Sequence, residues 1–357
     1  MTGSNLTDYY GSGTHFRGAD MLKFFLMPFF IFIYLGFPTP IGGYVRFFSN
    51  FAPLAIFILC GFFVLVPDAE RREEKILVSL KRSAIFFGVL FVAYVILNLA
   101  YLSYNYDPAY WMPEIFRKRI LFNFLVFNQF PREFPIGQGI WCVFSLVCAY
   151  LFFFLAEKIK LMKFSLVLLI CFGVIALLTG EFAAFVGFPY FGYYYVPSCT
   201  VTVAIPGMLI GMQIRKYGSK LLTRPKWLYG ILFVAGVALA YGEGELLSRL
   251  GKLRNYSSLI GFWIMAIAVC CFALSLSQIR SNFFSVHGKS YASRFYVIWE
   301  PITLLLTILF TVFSPKNALR YLIEYRSIIV CVVCFLIALL ISLIKRAIFM
   351  QRKFDEE

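Results

Sequence analysis

Charged side chains are scarce in this chain of 357 residues, since Asp, Glu, Lys and Arg together make up 14% of the sequence. Soluble globular domains carry about 25% charged residues. Hydrophobic residues make up 61% of the chain and aromatic residues 20%, with a mean hydropathy of +0.80. A water-soluble fold is therefore excluded, and the composition is typical of an all-helical, polytopic membrane protein.

Histidine and metal-binding patterns are also nearly missing. The two histidines, His15 and His287, precede apolar runs instead of lying within them. Eight of the nine cysteines fall inside apolar runs, with only Cys199 near the end of one, and no cysteine spacing is paired with histidine. Neither a metal site nor a disulfide framework is expected, so we interpret the cysteines as small apolar core residues.

Apolar runs long enough to cross a membrane recur along the whole chain, because a helix needs roughly 20 apolar residues to span a bilayer core. The pattern predicts about ten transmembrane helices in a single membrane domain covering 1–357, with a polar segment at 1–20 and a tail at 346–357. The predicted spans are 21–36, 47–66, 83–102, 137–157, 164–186, 196–214, 227–242, 256–277, 295–313 and 327–345. The apolar segment 119–130 is too short to span and is expected to be interfacial or re-entrant.

The basic residues set the expected orientation. An even number of spans puts both termini on one side, and that side carries 22 of the 33 Lys and Arg residues, including five in 67–82 and five in 215–226. Basic residues are enriched on the cytoplasmic side, so both termini are predicted to be cytoplasmic. The net charge of +15 then reflects topology and contact with membrane lipid, and nucleic acid is not an expected partner.

The first span has a charged start and a break in its hydrogen-bond ladder. Eleven residues separate Lys23 from Tyr34, which is close to three helical turns and about 16 Å, so both share one face. Pro28 between them cannot donate to the carbonyl of Phe24, which predicts a kink. A kink at this depth can open a cavity between a cytoplasmic Lys23 and a mid-membrane Tyr34.

The start of the chain resembles the acyltransferase-3 family of integral membrane proteins. Members enter the first span with an arginine, an aspartate and a second basic residue, as Arg17, Asp20 and Lys23 do here. Eleven residues after that basic residue the family has a histidine, and this chain has Tyr34. The family transfers acyl groups, often acetyl, to hydroxyls of cell-surface glycans.

Weaker signals extend the resemblance along nearly the whole chain. The segment "FAPLAIFILCGFF" is similar to the family's second span, with Cys60 and Gly61 where the family has a Ser-Gly pair. "VSLKRSAIFF" resembles the basic start of the third span, at Lys81 and Arg82, and Trp141 matches a tryptophan that opens a later span. Two further segments, "PGMLIGMQIRK" and "GKSYASRFYVIWEPI", are similar to a glycine-rich span end and to the closing segment.

The chain departs from the family pattern at the residues expected to carry the chemistry. The closing family pattern "YLIH" is Tyr296-Val297-Ile298-Trp299 here, so a second histidine position carries Trp299. If the first-span histidine of the family acts as general base, this chain lacks that base. Glu300, six residues into the ninth predicted span, and Glu181, toward the outer end of the fifth, are the carboxylates left to replace it, although either could instead pair with Lys or Arg.

The resemblance also implies a donor site at the cytoplasmic side. Arg17, Lys23 and Arg82 are the candidate ligands of the phosphates of an acyl-CoA donor, with Asp20 orienting the basic side chains. The alternative is that these basic residues serve only the topology, as part of the positive charge on the cytoplasmic side. Tyr34 is a catalytic candidate beside Glu300, with packing or interfacial anchoring as its alternative, and Cys60 and Trp141 are expected to line the cavity.

The expected function is therefore an O-acyltransferase of the bacterial cytoplasmic membrane, in which an acyl group, often acetyl, passes from cytoplasmic acyl-CoA to a hydroxyl of a surface glycan or lipid-linked precursor, with no metal involved. Because the family histidine is absent, a second class stays open. This alternative is a non-catalytic relative, or a transporter or flippase of a lipid-linked saccharide. The oligomeric state is left open by the sequence.

Overall fold

The computed structural model describes residues 16–105, 139–180, 182, 200–250, 259–276, 280, 282–313 and 321–355. Within these ranges the structure is helical and contains no strand. The helices are α1 (Arg17–Leu35), α2 (Gly42–Ser49), α3 (Phe51–Val64), α4 (Ala69–Asn105), α5 (Trp141–Lys158), α6 (Ser165–Thr179), α7 (Ile205–Lys216), α8 (Gly218–Leu221), α9 (Lys226–Arg249), α10 (Ile260–Ser275), α11 (Phe283–Phe313) and α12 (Arg326–Asp355). Segment 119–130, Glu181 and Cys199 lie outside the described residues.

The chain is a helical integral membrane protein. Among the described residues, six helical stretches are long and apolar enough to cross a membrane: Arg17–Leu35, Gly42–Val64, Ala69–Ser103, Trp141–Lys158, Leu161–Thr179 and Lys226–Arg249. Shorter apolar helices at Ile260–Ser275, Ile298–Phe310 and Arg326–Ile341 coincide with the last three predicted spans. The count of ten and the cytoplasmic position of both termini stay predictions.

Several helices extend well beyond the apolar runs that predicted them. α4 begins at Ala69, so most of the basic segment 67–82, which was expected to be a loop, is helical. Its sequence "AERREEKILVSLKR" is rich in strong helix formers, which continue a helix into water as readily as into lipid. α11 likewise begins at Phe283 and α12 ends at Asp355, so much of the expected tail is helical.

The second predicted span is divided at Asn50, between α2 and α3. Pro53 has no amide hydrogen to donate to the carbonyl of Ser49, so a continuous helical ladder cannot form there. The Ser49 hydroxyl donates to the carbonyl of Val45 at 2.6 Å, one turn back in α2. Pro28 lies inside α1, which is helical throughout, and the predicted kink stays a prediction.

The helices form two compact units, one of Met1–Ala19 with Asn50–Gln278 and one of Asp20–Ser49 with Ile279–Glu357. In the first unit, α3 and α7 pack with their backbones in contact. A β-carbon at Gly61 would overlap the carbonyl oxygen of Met208, and one at Gly211 would overlap that of Ile58. Gly207 and Gly211 form a GxxxG pattern, which allows this close approach in membrane helices.

Other contacts of the first unit join α4 to α5 and α9 to α10. The rings of Phe87 and Phe144 stack at 4.9 Å between α4 and α5. Gly236 and Gly261 bring the backbones of α9 and α10 together. One face of α4 is exposed and apolar, at Ile85, Val89, Val92 and Ile96, and their spacing of three or four residues makes a continuous stripe that lipid can solvate.

Candidate functional site

In the second unit, the predicted cytoplasmic ends of α1 and α11 touch. A β-carbon at Gly288 would overlap the carbonyl oxygen of Asp20, so only glycine permits this approach. The Lys23 ammonium donates to Asp20 Oδ1 at 2.9 Å. Asp20 is 5% exposed, whereas the Lys23 side chain is one-third exposed, at 33%. The structure thus contains the ion pair on which the orienting role of Asp20 was predicted, and the role itself stays a prediction.

Farther along the same two helices, the Tyr34 and Trp299 rings stack. Their centroids are 5.4 Å apart and their planes are 24° from parallel. Tyr34 lies in the last turn of α1, one residue before the helix ends at Leu35, and not midway along the span as predicted. Asp20 lies beside Gly288 and Tyr34 beside Trp299, so α1 and α11 run in the same direction. Tyr34 and Trp299 occupy the two positions at which the resemblance places histidines, and the fold brings these positions together.

The third helix at this site, α12, runs the opposite way. Its Phe335 ring packs on Phe24 at 5.7 Å, and the Thr39 hydroxyl donates to Glu324 just before α12 at 2.5 Å. An apolar cluster joins the three helices, and Tyr34 packs against it. Its buried members are Met27, Ile31, Phe295, Trp299, Ile302, Val330, Cys334 and Ala338. Trp299 is therefore part of a buried apolar cluster, and Tyr34 packs against that cluster.

Glu300 follows Trp299 in α11 and is 3% exposed. Pro301 comes next and cannot donate to the helix ladder, yet α11 continues through it. The Thr303 hydroxyl donates to the carbonyl of Trp299 at 2.7 Å, and the Thr307 hydroxyl donates to that of Thr303 at 2.7 Å. Glu300 is thus a buried carboxylate one residue after the stacked Trp299, and its catalytic role stays a prediction.

The predicted donor ligands are divided between the two units. Arg17, half-buried at the first turn of α1, belongs to the first unit, as does Arg82, which is exposed on α4. Lys23 belongs to the second unit. Neither unit by itself contains all three cations, so their convergence around one donor stays a prediction.

Cys60 and Trp141 both lie in the first unit but contact different partners. The Tyr150 hydroxyl lies within hydrogen-bonding reach of the Cys60 thiol and of the Ser79 hydroxyl. Trp141 packs against Phe57, with ring centroids 6.2 Å apart. Neither contact tests the predicted role in lining a substrate cavity.

Cations at the carboxyl end of α3 were not anticipated as a group. Arg215 Nη1 donates to the carbonyl of Phe62 at 2.9 Å, and the Lys75 ammonium donates to that of Phe63 at 3.3 Å. Arg72 Nη1 donates to the carbonyls of Val66 and Pro67, both at 3.1 Å. Burial lowers the pKa of the Arg215 guanidinium, which stays protonated because its usual pKa is above 12. Arg215 and Lys75 thus satisfy carbonyls in the last turn of α3 and complement its dipole, and Arg72 satisfies two carbonyls just beyond the helix, which is a structural role.

Arg72 on α4 also forms a bidentate ion pair with Glu157 on α5. Its Nε and Nη2 donate to the two carboxylate oxygens of Glu157, each at 2.8 Å, and Lys158 and Glu73 pair at 2.5 Å beside them. Residues 67–82 and 158–163 were both predicted to be cytoplasmic. Their contact agrees with that assignment.

Two features of the second unit were missed by the sequence interpretation. Trp299 was noted only as the residue that replaces a histidine, and its stacking partner lies 265 positions away in the sequence. Arg326 and Ser327, at the start of α12, were not considered. The one feature of the sequence that could have drawn attention to them is Arg326 itself, a basic residue directly before an apolar run on the predicted outer side, where basic residues are less common.

Comparison with protein-family models, with curated proteins and with solved structures gave no match. Within the described ranges, no group of three or more His, Cys, Asp or Glu side chains is placed to hold a metal ion. Functional interpretation therefore rests on the side chains themselves, foremost Tyr34, Trp299 and Glu300.

Proposed function

We propose that this protein is a membrane-embedded O-acyltransferase. It transfers an acyl group, acetyl in the simplest case, from a cytoplasmic thioester such as acyl-CoA to a hydroxyl of a cell-surface glycan or its lipid-linked precursor. The observation that carries the proposal is the stacking of Tyr34 on Trp299 at 5.4 Å. Two positions that resemble the histidine positions of acyltransferase-3 proteins are far apart in sequence and adjacent in space, which is expected of a shared site.

Glu300 is the proposed general base. Its carboxylate takes the proton of the acceptor hydroxyl as the oxygen attacks the thioester carbonyl carbon. The new carbon–oxygen bond forms, the carbon–sulfur bond breaks, and the proton passes to the departing thiolate. Burial of a carboxylate favours its protonated form, and Glu300 is buried in α11 directly after Trp299. The Tyr34 hydroxyl would position the acceptor oxygen.

Donor binding is assigned to the cations at the predicted cytoplasmic side. Lys23 pairs with Asp20 at 2.9 Å, and its side chain is one-third exposed, so a phosphate group could approach it from the exposed side. Arg17 and Arg82, which belong to the first unit, stay predicted ligands of the phosphates of an acyl-CoA donor. The protein would then act in a bacterial cytoplasmic membrane, with the donor inside and the acceptor reaching the site through the membrane or from outside.

A second candidate function is a non-catalytic relative, or a transporter or flippase of a lipid-linked saccharide. The same aromatic pair favours it, because neither a phenol nor an indole is an effective base at neutral pH. Stacked rings are also common platforms for sugar-like or planar ligands.

Two substitutions distinguish these functions, with acyl-ester content of surface polysaccharide as the measurement. If Glu300 is the base, Glu300→Gln should lower ester formation by about 10² to 10⁴, the usual contribution of general-base catalysis, while Tyr34→His changes little. If only the base is missing from an otherwise intact cavity, Tyr34→His should raise ester formation, because imidazole has a pKa of about 6.5 and phenol one of about 10.

A variant that is misfolded would also lose ester formation, so the stability of each variant is compared with that of the parent by thermal unfolding in detergent. Thr307→Val, which removes a hydroxyl two turns farther along α11, is the matched control and should leave ester content unchanged. A parent protein that forms no ester, together with variants that change nothing, would reject acyl transfer in favour of the non-catalytic alternative.

A further inference from the structure

The start of α12 contains two buried polar atoms without hydrogen-bond partners. Among the described residues, Arg326 Nε and Ser327 Oγ are both inaccessible to solvent and make no hydrogen bond. Ser327 is 1% exposed, and Arg326 is half-buried. No carboxylate of the described residues forms an ion pair with Arg326. Buried polar groups are nearly always hydrogen-bonded, so two adjacent exceptions call for a missing partner.

Ser327 faces the same interior as the proposed site. The buried residues Ser327, Val330, Cys334 and Ala338 recur at intervals of three or four, which places them on one face of α12. The last three contact the cluster that contains Trp299. Ser327 is therefore the next position on that face, one turn closer to the start of the helix.

The helix directions place this pair close to the level of Tyr34. Thr39 contacts Glu324, and Phe24 contacts Phe335, on helices that run in opposite directions. Ser327 lies between Glu324 and Phe335, as Tyr34 lies between Thr39 and Phe24. The unpartnered Ser327 hydroxyl and Arg326 Nε thus lie at the same end of the second unit as the stacked rings.

We propose that Arg326 and Ser327 form an oxyanion site that takes the carboxylate or phosphate group of an acidic saccharide. A guanidinium binds such groups with two parallel hydrogen bonds, a serine hydroxyl donates one more, and the start of a helix favours negative charge. In the predicted topology this site is at the outer side. The identification of the ligand as the acyl acceptor rests on the proposed function, whereas anion binding does not.

The test measures anion-dependent thermal stabilisation of the purified full-length protein in a neutral detergent. The probes are sodium glucuronate and inorganic phosphate, at ionic strength matched with sodium chloride, and glucose is the neutral control. A ligand that binds only the folded state raises the melting temperature in a saturable way. We expect saturable stabilisation by glucuronate or phosphate and none by glucose.

Arg326→Gln should raise the half-saturating anion concentration at least about tenfold, because a charge-assisted contact is lost. Its matched control is Arg249→Gln. Arg249 is exposed at the end of α9 and pairs with Glu245 at 2.9 Å, and this change should leave anion binding unaltered.

Ser327→Ala separates a ligand-binding hydroxyl from a structural one. Without anion it should leave the melting temperature unchanged or raise it, since an unpartnered buried hydroxyl is removed. With anion it should lose part of the stabilisation. Ser49→Ala is the control, and it should lower the melting temperature with and without anion because the Ser49 hydroxyl is bonded to Val45.

A lipid headgroup could supply the same chemistry, so the measurement is repeated in nanodiscs of phosphatidylcholine with or without phosphatidylglycerol. Arg326-dependent stabilisation by free glucuronate or phosphate in pure phosphatidylcholine supports the saccharide site. Stabilisation that requires phosphatidylglycerol, or no saturable effect beyond chloride, overturns it. The binding measurement contains no acyl donor, so it is independent of acyl transfer. If the protein forms esters but does not bind the anion, this site is rejected and the acyltransferase proposal stands. If it binds the anion but forms no ester, only the acyltransferase proposal is rejected.

Discussion

The apolar helices of the second unit bury polar side chains at both of their ends. Asp20, Glu300 and Ser327 are each no more than 5% exposed, although α1, α11 and α12 are largely apolar. Such groups are expensive to bury in a membrane helix, so in membrane proteins they commonly mark substrate paths or proton-transfer sites. Glu300 directly follows Trp299, and Ser327 lies at the end of the unit where Tyr34 stacks on Trp299, whereas Asp20 lies at the other end beside Gly288.

Lys23 has a specific expected effect. Lys23→Ala should weaken donor binding or reduce ester formation while leaving membrane insertion intact, because other cytoplasmic segments retain ample positive charge. Donor affinity is measured with purified protein and acetyl-CoA, and we expect a loss of roughly tenfold or more for one lost charged contact with phosphate.

Two controls accompany that measurement. Lys163→Ala removes an exposed charge on the same predicted side and should not change donor affinity. In Lys23→Ala, the buried Asp20 carboxylate loses its ion-pair partner, which can lower stability. The double substitution Lys23→Ala/Asp20→Asn removes this charge as well and so separates lost stability from lost donor binding. If Lys23→Ala lowers expression and leaves the affinity of the remaining protein unchanged, Lys23 serves topology, and the donor site is not where we propose.

Helix packing in the first unit depends on the absence of side chains at glycines. Gly211→Ala places a methyl group against the carbonyl oxygen of Ile58, so α3 and α7 must separate. We expect a loss of about 1 to 3 kcal/mol in stability, as for other overpacked contacts. Gly173→Ala is the control, since a β-carbon there meets nothing within 4 Å, and it should be neutral or stabilising by up to about 1 kcal/mol. Thermal unfolding in detergent that ranks the two variants equally would contradict this packing.

The positions of the helices could be predicted from the sequence, but their lengths could not. All ten apolar runs coincide at least in part with helices, because burial in lipid requires internally bonded backbone. The ends were misjudged in α4, α11 and α12, where the hydropathy falls while helix-forming residues continue. Hydropathy measures the preference for lipid, and helix formation does not stop where that preference ends.

The site could be predicted only in part for a different physical reason. Asp20 and Lys23 are three residues apart, so their contact follows from helix geometry. The contacts of Tyr34 with Trp299 and of Phe24 with Phe335 depend on how separate helices pack, which a single sequence does not encode in any local pattern. Arg326 and Ser327 were missed because an unsatisfied hydrogen bond becomes visible only in three dimensions.

Across the molecule, helix directions agree with alternating spans. α1 and α11 coincide with the first and ninth predicted spans and run the same way, whereas α12, the tenth, runs the opposite way. Within the first unit, the segments predicted to be cytoplasmic meet through Arg72 and Glu157. Both agreements are local, and neither fixes the orientation of the protein in the membrane.

Reporter fusions test that orientation. Fusions after residues 75 and 220 should show cytoplasmic activity, with fluorescence of green fluorescent protein and no activity of alkaline phosphatase. Fusions after residues 110 and 320 should show the reverse. The prediction follows from the excess of Lys and Arg on one side, 22 of 33. Reversal of either pair would reject the arrangement of ten spans.

Acyl transfer to a surface glycan is the central claim, and the ester content of that glycan tests it most directly. Surface polysaccharide from a strain that lacks the protein is compared by mass spectrometry with polysaccharide from its parent and from the deletion strain complemented with the intact chain. We predict that the deletion removes acyl esters, that the polymer itself is retained, and that complementation restores the esters. Unchanged ester content, or loss of the whole polymer, would contradict the acyltransferase and favour the non-catalytic or exporting alternative.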